Sequence, residues 1–316
     1  MKRTLLFTAL VALLVATSCA DSATTLTKVN IPKRQNWDSR IPLFGDVESV
    51  TVYGYNLVEK SGKTVKEKDD GQKEVYKFNQ KGDVDEFFVY ENDGSLMFRE
   101  TYKYDSQGNI TENTYYGRDN SLGRKTLYKY DSQGNKIEGV TYEIDGSQSC
   151  KYIYEYDSQG NMIEEESYYS SGWRSQYTYK YDSQGNKIEE AHYDSNSSLE
   201  YKYLYKYDSQ GNMIEEAHYD GDGSFHSKTV FKYDSRGNKI EAAGYNGDGS
   251  LRQKATFKHN SQGQFVEAIV YGSNGLIVGK VICKLDSQGN MVEVFNYEGV
   301  DTKPTSVTVR EVVYRK

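Results

Sequence analysis

The chain has 316 residues, of which 36% are hydrophobic, 30 are Tyr, 28 are Gly and three are Pro, and its formal net charge is −7. The negative balance argues against a phosphate-backbone binder, which needs a basic patch. The shortage of Val, Ile and Leu argues against a conventional sandwich core, whereas Tyr can cover a sheet face and keep its hydroxyl wet.

The first residues, Met1, Lys2 and Arg3, are followed by an apolar run from Leu5 to Val15, the length of a signal segment and too short to span a bilayer. Ala16, Thr17, Ser18 and Cys19 then resemble a bacterial lipobox. That resemblance implies cleavage before Cys19 and acylation of Cys19, so that residues 1–18 are a signal peptide and the mature chain is tethered to a membrane by lipid. An ordinary secretory signal with an incidental Cys is the alternative. Residues 19–46 read as a polar tether with Trp37, Leu43 and Phe44 as docking anchors. Residues 47–316 read as a single β-repeat domain, which opens on the alternating stretch "VESVTVYGY".

The period then appears. The residue that opens each "DSQGN" stretch is Asn79, Asp105, Asp131, Asp157, Asp182, Asp208, Asp234, Asn260 or Asp286, with a spacing of 26 except for 25 between Asp157 and Asp182. A fixed period of this size marks a repeat architecture. Gly follows three residues after the opening position in all nine units. A second turn lies about 12 residues away, with Gly94, Asn120, Gly146, Gly172, Gly223, Gly249 and Gly275 at its key position and Ser197 as the exception. Asn is the other residue that tolerates positive φ, so both turns read as three-residue hairpin loops ending in a left-handed residue. Between them lie strands such as "YKYLYKY" (201–207).

The expected fold is all-β: an antiparallel meander of about eighteen strands, built from nine 26-residue double-hairpin repeats, coiled or extended as a single layer. Strands near 48–58 and 306–316 would cap it, with Arg310, Glu311, Arg315 and Lys316 blunting the terminal edge. Contacts would be local and assembly progressive. Cys150 and Cys283, ten strands apart in an unclosed sheet, would lie too far apart for a disulfide and remain thiols.

Two registers are open. If Gly211 closes a three-residue loop, Tyr207 pairs with Met213, Tyr205 with Glu215 and Tyr203 with Ala217. Tyr219 then faces Phe225, and Lys206, Ile214, Glu216 and His218 share the other face. If the loops hold two or four residues, Tyr207 pairs with Ile214 and Lys206 with Glu215. The recurring Gly favours the first, and a one-residue slip turns every side chain over.

The stretches "YKYDSQGNKIEE", "YEYDSQGNMIEE" and "FKYDSRGNKIEA" resemble the Rhs/YD repeat over about residues 76–297. The resemblance implies β-hairpins and extracytoplasmic use. In that family the repeats wind into shells around a C-terminal effector; this chain has too few units to enclose a domain, and no effector follows. With its lipobox it also resembles the small repeat lipoproteins of Bacteroides-type bacteria.

No nucleophile elbow, phosphate loop or metal motif is present. His192 and His218 occupy equivalent positions too far apart to share a zinc ion and read as part of a solvated face. The "DGDGS" stretches read as turn chemistry rather than calcium loops. Glu86, Glu112, Glu138, Glu164, Glu189, Glu215, Glu241, Glu267 and Glu293 recur seven residues after the opening position, one environment repeated, so they read as partners of Lys or Tyr rather than a catalytic pair.

A ladder of aromatic faces remains as the candidate binding face: Tyr154, Tyr179, Tyr203, Tyr205, Tyr207 and Tyr219. The expectation is a non-catalytic, lipid-anchored protein of a bacterial envelope, in the outer membrane, that presents an extended surface to a protein or glycan. It needs no cofactor or metal and binds no nucleic acid. The alternatives are a purely structural envelope component and an enzyme with its site near Trp37 to Phe44 or Thr302 to Lys316.

Overall fold

The computed structural model describes residues 43–68 and 71–316, so Cys19 and Trp37 lie outside the described residues. All regular structure among these residues is strand, 21 strands in one sheet. The repeats supply eighteen of them, from β3 (Lys73–Phe78) to β20 (Met291–Glu298); β1 (Val47–Lys60), β2 (Lys63–Lys68) and β21 (Ser306–Tyr314) come from outside the repeats.

Each unit is set by its first turn. The Asp208 N–H donates to Asn212 O at 2.9 Å and the Gly211 N–H to Asp208 O at 3.1 Å, with Gly211 at φ +83°. This is the three-residue loop with a left-handed third residue that the Gly spacing predicts. The Asp208 carboxylate ties the loop together: Oδ1 accepts from the N–H groups of Gln210 and Asn212, and Oδ2 from the Asn212 side-chain amide, all at 2.9 Å. The second turn repeats the backbone pattern, with Gly223 at φ +85°, Asn120 at φ +62° and Ser197 at φ +59°.

The register combines the two alternatives. In β13 (Leu199–Tyr207) and β14 (Met213–Asp220), Tyr207 pairs with Met213, and then Lys206 with Glu215, Tyr205 with Glu216 and Tyr203 with His218. Ile214 is the extra residue of a bulge, so the ladder starts in one register and continues in the other. The same sidestep follows the first turn in the other hairpins, as at Lys129/Tyr130 and Lys180/Tyr181. Glu216 and His218 therefore lie with Tyr205 and Tyr203 rather than with Lys206, which corrects the first register. Tyr219 does face Phe225, across a second bulge near the other turn.

The expectation of an open meander or coiled sheet is overturned. β1 pairs with β3 through Ser49–Val52 and, on its other edge, with β21 through nine residue pairs from Val47–Tyr314 to Asn56–Ser306. β1 therefore joins the last strand to the first repeat strand and closes the sheet, with β2 added on the second half of β1. The terminal strands are thus a seam and not blunted caps. Arg315 donates to Asp46 Oδ1 at 2.5 Å and Tyr53 to Glu311 at 3.3 Å. The seam joins residues 250 or more positions apart, so the contacts are not all local. Filling both edges of β1 removes the exposed hydrogen-bonding groups that an end strand presents. The docked Phe44 also belongs here. Asn290, fully buried, accepts from the Phe44 N–H and donates to Phe44 O, while Leu43 is buried.

The described residues divide into two compact units, one holding those up to Met97 with Phe231–Gly244 and Leu251–Lys316, the other Phe98–Val230 with Tyr245–Ser250. The first has an apolar core that includes Val50, Val84, Phe231, Phe257, Phe265, Val270 and Val281. The second buries smaller and more polar groups: Thr126 and Thr141, hydrogen-bonded at 2.9 Å, with Ser167, Ser175 and His192. Cys150 and Cys283 are buried thiols, as expected, although the unclosed sheet behind that expectation is not.

Two outcomes follow. Ser197→Gly should raise stability by up to about 1 kcal/mol in urea unfolding, because it removes left-handed strain, and Gly211→Ala should lower it by about 1–2 kcal/mol. Asn290→Ala should lower stability by about 2–3 kcal/mol and speed hydrogen exchange first at the β1 and β21 amides, since it strands buried backbone groups at the seam.

Candidate functional site: the tyrosine face

The bulges decide which side chains share a face. Beyond each sidestep, the tyrosines one, three and five residues before the opening Asp lie with the residues eight and ten positions after it. In the second unit this collects Tyr128, Tyr154, Tyr179, Tyr203 and Tyr205 with Glu165, Glu190, Glu216 and His218 on one face. Equivalent positions in the first unit are Phe87, Ala242, Ala268 and Val294, none of which carries a carboxylate.

These rings are half-buried, and burial pushes the Tyr154, Tyr179 and Tyr205 hydroxyls well above their ordinary range, helped by nearby Glu165 and Glu190. They stay protonated hydrogen-bond donors. Lysines intercalate between them. The Lys136 ammonium lies 4.9 Å from the Tyr128 ring centre and 5.2 Å from that of Tyr154. Lys187 lies 5.4 Å from Tyr179 and 5.2 Å from Tyr205. Such contacts are worth about 0.5–2 kcal/mol each. Burial lowers the Lys136 pKa and raises that of Glu165, because both charges lose water.

Of the six sequence-predicted residues, Tyr154, Tyr179, Tyr203 and Tyr205 are brought together. Tyr207 serves the fold instead, since its hydroxyl donates to Lys187 O at 2.8 Å. Tyr130, Tyr156 and Tyr181 do the same to Ile110, Lys136 and Met162. These bonds lie where the ladder between successive hairpins ends, at Glu189–Leu204 in one case and Glu164–Thr178 in another. Tyr219 is on the opposite face, beside Lys202 and Phe225. Sequence reading missed Lys136, Lys187, Glu165 and Glu190. Aligned repeats carry the signal: the fifth position alternates as Lys136, Met162, Lys187, Met213, Lys239.

Where the ladder between hairpins stops, an open notch remains beside the turns. One of about 600 Å³ is lined by Ile188, Tyr205, Lys206 and Ser183, and its counterpart one hairpin earlier, of about 520 Å³, by Ile163, Tyr179, Lys180 and Ser158. The notches repeat the same chemistry at equivalent positions.

The other face carries the recurring Glu. Glu215 is bridged by Lys206 at 2.7 Å and Lys228 at 3.4 Å, and Glu138 by Lys129 at 2.6 Å and Lys151 at 2.9 Å. These are the structural lysine partners expected. Exposed pairs of this kind stabilise little individually.

The solvated-face reading of the histidines is overturned for His192, which is 6% exposed and packed between the Tyr177 and Tyr201 rings. Its Nε2 lies 2.7 Å from Ser175 Oγ and its Nδ1 2.9 Å from Glu200. The row has the order of a nucleophile relay, but Ser175 is 4% exposed, so no substrate carbonyl reaches its oxygen. It is a buried polar bond. His218 stacks on Tyr203 at 4.7 Å, and burial, then His226, lower its pKa. In "DGDGS", Asp222 Oδ1 accepts the Ser224 N–H at 2.8 Å, which engages that oxygen within the turn. Among the described residues no group of three or more His, Cys, Asp or Glu side chains is placed to hold a metal ion.

Residues 123–167 match a family described as protein of unknown function (DUF2963). No curated protein sequence matches the chain. Solved structures to which the chain is similar include TcdB2-TccC3-TEV, with 14% identity over 79% of this chain and a TM-score of 0.30, of which the chain spans 16%. They also include a porin-like protein from Bacteroides uniformis, with 10% identity over 86% of this chain and 98% of that one and a TM-score of 0.37. The Photorhabdus luminescens Tc holotoxin pore matches at 14% identity over 84% of this chain and 16% of that one, with a TM-score of 0.32. At these TM-scores the likenesses carry no argument about role.

The turns set an acid limit. The Asn135, Asn161 and Asn186 side-chain amides, and then their backbone N–H groups, hold Asp131, Asp157 and Asp182 below the ordinary Asp value of 3.8. A depressed folded-state pKa gives stability that is present above 3.8 and lost as pH falls through the folded value. Thermal melts should therefore drop as pH falls below about 3.8. Replacing these three Asp by Asn, which Asn79 and Asn260 show the turn accepts, should flatten that decline.

Proposed function

We propose that this chain is a non-catalytic bacterial envelope lipoprotein of the Rhs/YD-repeat type, anchored through Cys19 in the outer membrane, whose repeated sheet binds a protein or glycan. The observation that carries the reading is the recurrence of one amphipathic notch, with a Tyr, a Lys, an Ile and a Ser, at equivalent places in successive hairpins. A recurrent surface fits a partner that is itself extended, and aromatic rings with few rotatable bonds lose little entropy on contact. The stretch "ATSC" at residues 16–19 supports the anchor.

A second reading, a structural envelope component without a specific ligand, is favoured by the Tyr207-type hydroxyls, which are already bonded to backbone carbonyls.

Purified protein covering residues 20–316 should capture a saturable ligand from envelope extract or a glycan array. Paired Tyr203→Ala and Tyr205→Ala substitutions should lower that capture at least about tenfold, the scale of one hot-spot residue. Silence in both screens with a folded protein would favour the structural reading.

A further inference from the structure

We propose that Tyr154, Tyr179 and Glu165 form a site for an external ammonium group, a lysine-like or quaternary amine. This rests on the tyrosine face being a binding surface and names one chemistry for it.

The repeat breaks at this point. Three successive pairs of neighbouring tyrosines lie along the face: Tyr128 with Tyr154, Tyr154 with Tyr179, and Tyr179 with Tyr205. The first is filled by Lys136 and the third by Lys187, each ammonium seated between two rings. In the middle pair the equivalent position is Met162, which brings no charge. A carboxyl is nevertheless supplied there. Glu165 sits opposite Tyr154 on β9 (Gln148–Tyr156) and opposite Tyr177 on β11 (Arg174–Tyr181).

The contrast with Glu190, its counterpart one unit later, is direct. Glu190 is bonded to Lys187 at 2.5 Å and receives the Tyr205 hydroxyl at 3.5 Å. The Glu165 carboxylate makes no hydrogen bond and no ion pair with the described residues, although its backbone is paired in the ladders. It is half-buried, and burial raises its pKa. Lys136, whose charge opposes that rise, sits over the Tyr128 and Tyr154 rings without ion-pair contact with Glu165. Two ring faces beside a half-desolvated carboxylate are the elements that recognise an organic cation, and the neighbouring pairs show the face taking an ammonium in that geometry.

Titration of the full chain with tetramethylammonium and n-butylammonium, read by NMR shifts of the probe and by Tyr fluorescence, should give saturable millimolar binding; tert-butanol, a neutral probe of similar size, should bind more weakly. Glu165→Gln should weaken ammonium binding at least about fivefold by removing the charge while keeping the shape. Met162→Lys should abolish it by placing an internal ammonium between the rings, as at Lys136 and Lys187. Far-UV circular dichroism confirms folding, and Glu165→Gln decides the matter should Met162→Lys not fold. Equal binding of ammonium and tert-butanol, or ammonium binding unchanged in Glu165→Gln, would overturn the site. The small-molecule readout is independent of envelope-extract capture, so the site can fail while the binding surface stands.

Discussion

Most of the structure depends on one carboxylate repeated along the chain. In each unit the opening Asp, or Asn at 79 and 260, accepts the N–H groups two and four residues ahead and so fixes a five-residue turn. The tight loop forces the strand to sidestep by one residue directly afterwards. That bulge sets which residues share a face for the rest of the hairpin. Tyr207 and its equivalents then reach a backbone carbonyl of the preceding hairpin where the ladder ends, so each turn is also tied to its predecessor. The Tyr-Asp pair recurs because one residue closes its own hairpin and the other holds the neighbour.

A repeat of this kind has no natural stopping point. Ending it leaves unpaired N–H and C=O groups on the last strand. Here β1 meets β21 along nine residue pairs, and Asn290, Arg315 and Asp46 secure the seam with side-chain bonds. The unit that contains the seam is also the one with the apolar core, where Val, Phe and Ala occupy positions that carry Tyr, Glu and Thr in the other unit.

Function is more legible in what breaks the repeat than in what obeys it. Identical elements, such as the Lys–Glu–Lys bridges of one face and the Asp caps, are explained by the fold. The alternation of Lys and Met at the fifth position and the retention of Glu165 beside Met162 are not needed by any turn or ladder. A carboxyl left half-buried without a hydrogen bond costs stability unless another group answers it.

Strand and turn positions, the three-residue loops, and the left-handed residues at Gly, Asn120 and Ser197 were legible in the sequence. Their determinants lie within five residues of one another, so the pattern of Asp, Gly and Asn carries them whole. The structural role of the recurring Glu was legible for a similar reason, since its Lys partner lies nine residues away in the same hairpin. The tertiary structure decided the rest. The bulge at Ile214 moved Glu216 and His218 onto the tyrosine face, because a one-residue insertion inverts every later side chain and neither register alone contains it. Burial of His192 needed rings from two flanking strands. Closure of the sheet was invisible in the repeat, because the strands that accomplish it lie outside the repeats and pair across 250 residues or more.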